Sequence, residues 1–156
     1  MVPLSILRSI WNRITGKLRF PKEHCGSTMK MEDGLKFRIF RHMQLNKSTE
    51  PDKPAVFIVR FKFKRFSHRA NIRLSRIPMF MIAGFPGFHD KLWMIDSKTG
   101  YWQGVYQWDS TKAIEQYKQS FVLGIMNKRA LDSSISYQIL PDTNLEDFIR
   151  THKTTS

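Results

Sequence analysis

His89, Lys91 and Trp93 stand at alternate positions of one apolar run, and Trp102, Gly104, Tyr106 and Trp108 do the same in the next. Alternate residues of an extended chain share a face. If the two sets face the same way they form a wall of indole and phenol rings with one lysine, one histidine and a gap at Gly104. A mostly apolar wall with a few polar orienters is the general form of a small-molecule pocket, and Gly104 would leave room for a ring to lie against the backbone. Oxygenation of an activated phenol or enol needs a base to ionise it and a dry site. His89 is the candidate base, because an imidazole titrates near neutrality, and Lys91 would hold the resulting anion. Trp93, Trp102, Gly104, Tyr106 and Trp108 are the candidate ligand-binding residues. The same residues also admit plain structural roles. Tryptophans on a sheet face serve as core or interface, a polar pair after a Pro-Gly turn is ordinary, and a lysine lays its stem on apolar surface with its amine in water.

The surrounding segments must position that wall. "PAVFIVRFKFKRF" alternates Phe57, Val59, Phe61 and Phe63 against Ile58, Arg60, Lys62 and Lys64, which predicts a strand. Ser67 is placed to cap a helix through "HRANIRLSRIPMFMIAG", with Ile72, Ile77, Phe80 and Met81 inward and Pro78 kinking or restarting it. Gly84 and Pro86-Gly87 end it. "FHDKLWMID" and "YWQGVYQWD" are strands joined by the polar "SKTG", so they pair antiparallel. Asp109 or Ser110 caps a second helix, "TKAIEQYKQSFVLGIM". "SISYQIL" is a last strand, and "NLEDFIRTHK" suits a short terminal helix.

The order strand, helix, strand, strand, helix, strand is the α+β ferredoxin-like βαββαβ arrangement, a four-stranded antiparallel sheet with both helices on one face. The expectation is that the tryptophans lie on the opposite, open face, which must bind a ligand or close against another copy. This domain would span residues 54–141, preceded by a basic amphipathic N-terminal helix at 1–21 and an irregular extension and linker at 22–53. Residues 142–156 form a tail. Within the extension, 35–40 is open between an edge strand and helical turns.

Pro86-Gly87-Phe88, Lys91-Leu92-Trp93, Gly104-Val105-Tyr106-Gln107-Trp108, and Ala113 with Tyr117 occur in an order and spacing that resembles the YdhR-type monooxygenases of the dimeric α+β barrel superfamily. The likeness covers residues 55–140. It implies a homodimer whose two ferredoxin-like subunits pack open face to open face around aromatic cavities, and a monooxygenase-like activity on a small aromatic or apolar molecule. A more distant likeness is to spheroidene-type carotenoid monooxygenases. The resemblance does not reach residues 1–53.

Lysine and arginine outnumber aspartate and glutamate 26 to 13, a formal charge of +13, which draws anionic partners. The N-terminal stripe of Leu4, Leu7, Trp11, Ile14 and Leu18, with Arg8, Arg13 and Lys17 mostly elsewhere on the wheel, suits an anionic membrane surface, the chain's own domain or a second subunit. An organelle transit peptide has the same composition. Arg65, Arg69, Arg73 and Arg76 make a second basic stripe, solvated or in contact with a membrane, a polyanion or the propionates of a haem. No cofactor is required by the sequence, and a haem remains compatible with it. His24, Cys25, His42, His68, His89 and His152 lack the close pair spacings of a zinc site. The single Cys25 forms no internal disulfide, which with the rest places the chain in the cytoplasm, peripheral on a membrane through its first segment. An RNA-binding module also uses an open aromatic sheet, but "FIVRFKFKRF" lacks the Arg/Lys-Gly-Phe-Gly core of that motif, which disfavours nucleic acid. A non-catalytic, dimeric membrane-associated or ligand-binding protein keeps the same fold without the enzyme.

Overall fold

The computed structural model describes residues 16–46, 50–65 and 67–154. Arg8, Trp11 and Arg13 lie outside the described residues. Strands β1 (Leu18–Arg19), β2 (Thr28–Lys30) and β3 (Lys36–Leu45) precede β4 (Ala55–Phe61), followed by helices α1 (His68–Leu74) and α2 (Arg76–Ala83). Then come β5 (Phe88–Ile95), β6 (Trp102–Trp108), α3 (Thr111–Lys118), α4 (Phe121–Arg129), β7 (Ser136–Leu140) and α5 (Leu145–His152). Every pairing is antiparallel, and β5, β6, β4 and β7 lie side by side in that order. This is an α+β ferredoxin-like fold.

The sheet is wider than the expected four strands. β3 pairs along β5, and β1 and β2 pair with opposite ends of β3. Residues 22–53, expected as an irregular extension, therefore carry strands of the same sheet, and the strand alternative at 35–40 is the one realised. The helix expected over residues 1–21 does not include Leu18 and Arg19, which pair with Leu45 and Gln44 in β1; the rest of its stripe, residues 1–15, lies outside the described residues. Lys17 is exposed in the turn before β1.

Local chemistry accounts for the helix ends. Ser67 Oγ accepts from Ala70 N at 3.2 Å, and Ser110 Oγ accepts from Ala113 N at 3.2 Å, the side-chain caps that satisfy first-turn amides. The segment before β5 breaks at Ser75 into two helices, so Pro78 falls in the first turn of α2, where its missing N–H costs nothing. That restart rotates Ile77 outward, and the residue expected inside is 67% exposed. The second predicted helix also divides, with Ser120 capping α4. At the Pro86-Gly87 turn, Gly87 has φ +86° and a Cβ there would come within 2.6 Å of Ala113 Cβ. Two residues of the family-like motif thus meet where a strand entry crosses α3.

Each sheet face has its own apolar core. Phe57, Trp93, Trp102, Tyr106 and Trp108 lie with Met79, Ile82, Ile114, Tyr117, Val122 and Leu123, under the helices. The opposite face carries Val56, Ile58, Leu92, Met94 and Val105, and is covered by Leu145, Phe148 and Ile149 of α5 with Met29 and Met31. The expectation of an open tryptophan face is therefore corrected twice. The tryptophans are on the helix-covered side, and on the other side the chain's own α5 packs over Val56, Ile58, Leu92, Met94 and Val105. The reason is that β5 and β6 are buried on both faces, which removes the polar-out alternation that would have marked one as exposed.

Candidate functional site

The cross-strand register builds the wall. Lys91 stands between Met43 and Tyr106, and Trp93 between Arg41 and Gly104, with Trp102 opposite Ile95. Residues paired across antiparallel strands share a face, so Lys91, Trp93, Trp102, Gly104 and Tyr106 do come together. With Phe61 and Phe63 from the end of β4, Ser75 from the α1–α2 junction and Met126 from α4, they enclose a void of about 10 Å³ between sheet and helices. That is room for about one water. Gly104 does leave space, and the chain's own side chains fill it. A Cβ at Gly104 would come within 2.9 Å of Tyr106 Cε1 and 3.0 Å of Lys91 Cε.

Lys91 is 1% exposed. Its Nζ donates to the Tyr106 hydroxyl at 2.7 Å and lies 4.3 Å from the centre of the Trp93 ring and 3.9 Å from that of Tyr106. Burial pushes its pKa well below the usual lysine range, and the Arg41 guanidinium, repelling a second positive charge, lowers it further. Among the described residues no carboxylate pairs with it. An ammonium stripped of water and unpaired is so costly that the group sheds its proton instead. Burial also raises the pKa of Tyr106. Tyr117 is raised in the same way, with Tyr106 as a second cause. The Lys91 amine and the Tyr106 phenol in the void, and the Tyr117 phenol 5.6 Å from Tyr106 by ring centres, are thus all shifted toward their uncharged forms.

Arg41 links this row to the roof. Its guanidinium lies over Trp93 at 5.1 Å and over Phe40 at 5.4 Å. It donates to Ser75 Oγ at 2.9 Å and to the Ile72 carbonyl at 3.1 Å. Burial, and then Arg76, push its pKa down to about 10. On the neighbouring wall, Trp102 Nε1 donates to His68 Nδ1 at 2.9 Å.

Trp108 is not in the void. It packs one step further in, 4.9 Å from Tyr117 and 5.6 Å from Phe88 by ring centres. His89 is not there either. The β5–β6 register shifts between Phe88 and Asp90, so a bulge interrupts the alternation that put His89 beside Lys91. Phe88 takes the expected place, opposite Trp108. His89 instead lines a separate hollow of about 550 Å³ with Asp90, Gln107 and Glu146, where Asp90 pairs with His42 at 2.5 Å. Arg69 and Arg73 are exposed on α1. Among the described residues no group of histidine, cysteine or carboxylates is placed to hold a metal ion. The void as it stands does not fit a haem.

Arg41 and Ser75 are the residues sequence reasoning missed. Arg41 lay in a segment with no clean period, whose signal is spoiled by a register shift between Ile39 and Arg41. Ser75 reads as a mid-helix serine until the helix is seen to break there.

No protein-family model matches the chain, and no curated protein matches it as a relative. Solved structures resemble it in fold. An uncharacterized ferredoxin fold protein related to antibiotic biosynthesis monooxygenases, from Listeria monocytogenes 4b F2365, aligns with a TM-score of 0.52 at 10% identity, covering 83% of this chain and 94% of that one. A monooxygenase-like protein from Listeria innocua aligns with a TM-score of 0.51 at 12% identity, over 92% of this chain and 91% of that one. A heme-degrading enzyme from Listeria monocytogenes gives a TM-score of 0.50 at 12% identity, over 79% and 95%. At such identities the likeness establishes the ferredoxin-like fold that this chain shares with monooxygenase-like proteins.

Proposed function

We propose that the chain binds a small aromatic molecule bearing an ionisable phenol or enol between its sheet and its helix layer, with monooxygenase-like chemistry of the YdhR type. The observation that carries this is Lys91, a buried amine enclosed by aromatic rings, with no carboxylate partner among the described residues. A dry amine is a ready base. It takes the phenol or enol proton, and the ammonium so formed holds the substrate anion. The anion reacts with dioxygen: one oxygen bonds to a ring or enol carbon as the O–O bond breaks, and the hydrogen of that carbon's C–H bond leaves with the phenol proton, returned by Lys91, on the other oxygen as water, so the substrate supplies all four electrons and becomes a quinone or dicarbonyl. Trp93, Trp102 and Tyr106 sandwich the ring, and His89, on the other side of the sheet, takes no part. The ligand enters as α1 and α2 lift from the sheet at the Arg41–Ser75 contact. All these residues come from one chain, so the chamber does not depend on a second subunit. The likeness in fold to monooxygenase-like proteins supports the reading, as do the motif residues that resemble the YdhR type.

The test titrates the protein with 1-naphthol, following tryptophan quenching and oxygen uptake. Saturable quenching and oxygen consumption are expected in the wild type, with uptake lost in Lys91→Met while the fold is retained. Quenching that never saturates, or uptake that Lys91→Met leaves intact, would contradict the proposal.

A further inference from the structure

The helix layer has an outer surface of unusual composition. Ile77 is 67% exposed, Phe121 61%, Ile125 43% and Leu74 40%. All four lie on α1, α2 or α4, and these three helices contain no aspartate or glutamate. The helices that carry them pack together, α2 against both α1 and α4. Arg129 Nη2 donates to Asn71 Oδ1 at 2.7 Å, and Ser75 and Met126 line the same void, so α4 runs antiparallel to α1–α2. Counted from those two contacts, Ile77 falls opposite the N-terminal half of α4, which carries Phe121 and Ile125. Arg69, Arg73, Arg76 and Lys128 surround the group, all exposed, and among the described residues no carboxylate pairs with them.

We propose that this face is a docking surface for an anionic lipid bilayer, with Ile77 and Phe121 entering the headgroup–acyl boundary and the arginines meeting lipid phosphates. Large side chains on the outer side of a helix, ringed by cations without acids, have the composition of an interfacial surface. The charge decides between occupants. A second copy of the same face would set arginine against arginine. Nucleic acid would meet the cations and leave a phenylalanine and an isoleucine without an apolar contact. An anionic bilayer satisfies both components at once, and adds attraction for each basic residue near its surface. The inference does not depend on what the chamber beneath binds.

Vesicle flotation tests it, using phosphatidylcholine alone and an equal mixture of phosphatidylcholine and phosphatidylglycerol. The full chain is expected to float with the mixed vesicles and stay behind with the neutral ones. Because Ile77 and Phe121 are exposed, Ile77→Glu with Phe121→Glu leaves the circular dichroism spectrum and melting temperature unchanged. Partitioning should fall at least about tenfold in that variant, and Arg73→Glu with Arg76→Glu should weaken it too. The inference is overturned if the glutamate variant floats like wild type, if flotation is equal on neutral vesicles, or if deleting residues 1–15 alone abolishes it. Self-association that the same pair of substitutions abolishes, in a chain that binds no vesicles, also overturns it in favour of an interface between copies.

Discussion

Replacing Lys91 by methionine separates the charge of this side chain from its volume. In the unfolded chain its amine titrates near the ordinary lysine value of about 10.4. In the folded chain, burial and then Arg41 hold it well below that. Between the two values the unfolded state binds one more proton than the folded state, so Lys91 makes stability rise with pH, by about 1.4 kcal/mol per pH unit. The handicap is largest at the acid end and vanishes above the unfolded pKa. Methionine fills much the same space without a proton to lose. Its own cost, leaving the Tyr106 hydroxyl without the 2.7 Å partner, is about 1–3 kcal/mol and does not vary with pH over this range. The assay is urea unfolding of both proteins from neutral pH to about pH 10, followed by tryptophan fluorescence. Every other titrating group cancels in the difference. The stability of Lys91→Met relative to wild type should fall by up to about 1.4 kcal/mol for each unit of rising pH. Parallel curves would show that the folded protein keeps a charged ammonium, and the reasoning about the chamber would fail.

Gly104→Ala should lower stability by about 1–3 kcal/mol in thermal melts, because the new methyl meets the Tyr106 ring at 2.9 Å and a buried ring cannot step aside as a lysine end can. A melt unchanged from wild type would refute that packing. Arg41→Ala removes two charge-assisted hydrogen bonds to the α1–α2 junction, at a cost of about 1.5–3 kcal/mol each. Amide exchange should speed up at residues 72–76, and the Lys91 pKa should rise because a repelling charge is gone. Phe148→Ala should cost about 3–5 kcal/mol and cause concentration-dependent association by light scattering, since Phe148 is 2% exposed against the second sheet face. A variant that scatters light like wild type and is equally stable would show that α5 does not cover that face.

The order of elements was legible because β4 alternates cleanly and Ser67 and Ser110 sit where caps belong. The choice of face was not. Seven of the eight residues of β5 are buried, and such a strand does not tell which side the helices cover. His89 was misplaced by a bulge that adds a residue without any mark in composition. Ile77 was misplaced by a helix restart three residues before the proline expected to cause it. The helix at 145–152 could be read from its pattern, whereas its position over the second sheet face is a long-range contact that no local period encodes. Lys91 was singled out by alternation, and one of its two readings, beside holding an anion, had its amine reach water. It cannot, because Met43 on β3 and Tyr106 on β6 flank it in the sheet, and β3 belonged to a segment read as lying outside the domain.

The protonation state of Lys91 can be read directly by nuclear magnetic resonance, following the lysine Cε and Nζ shifts through a pH titration with Lys91→Met to assign the signal. One lysine, missing from the Lys91→Met spectrum, should lose its proton at a pH well below the ordinary lysine range. A Lys91 signal that stays in the ammonium form up to the ordinary lysine range would contradict an uncharged base in the aromatic chamber.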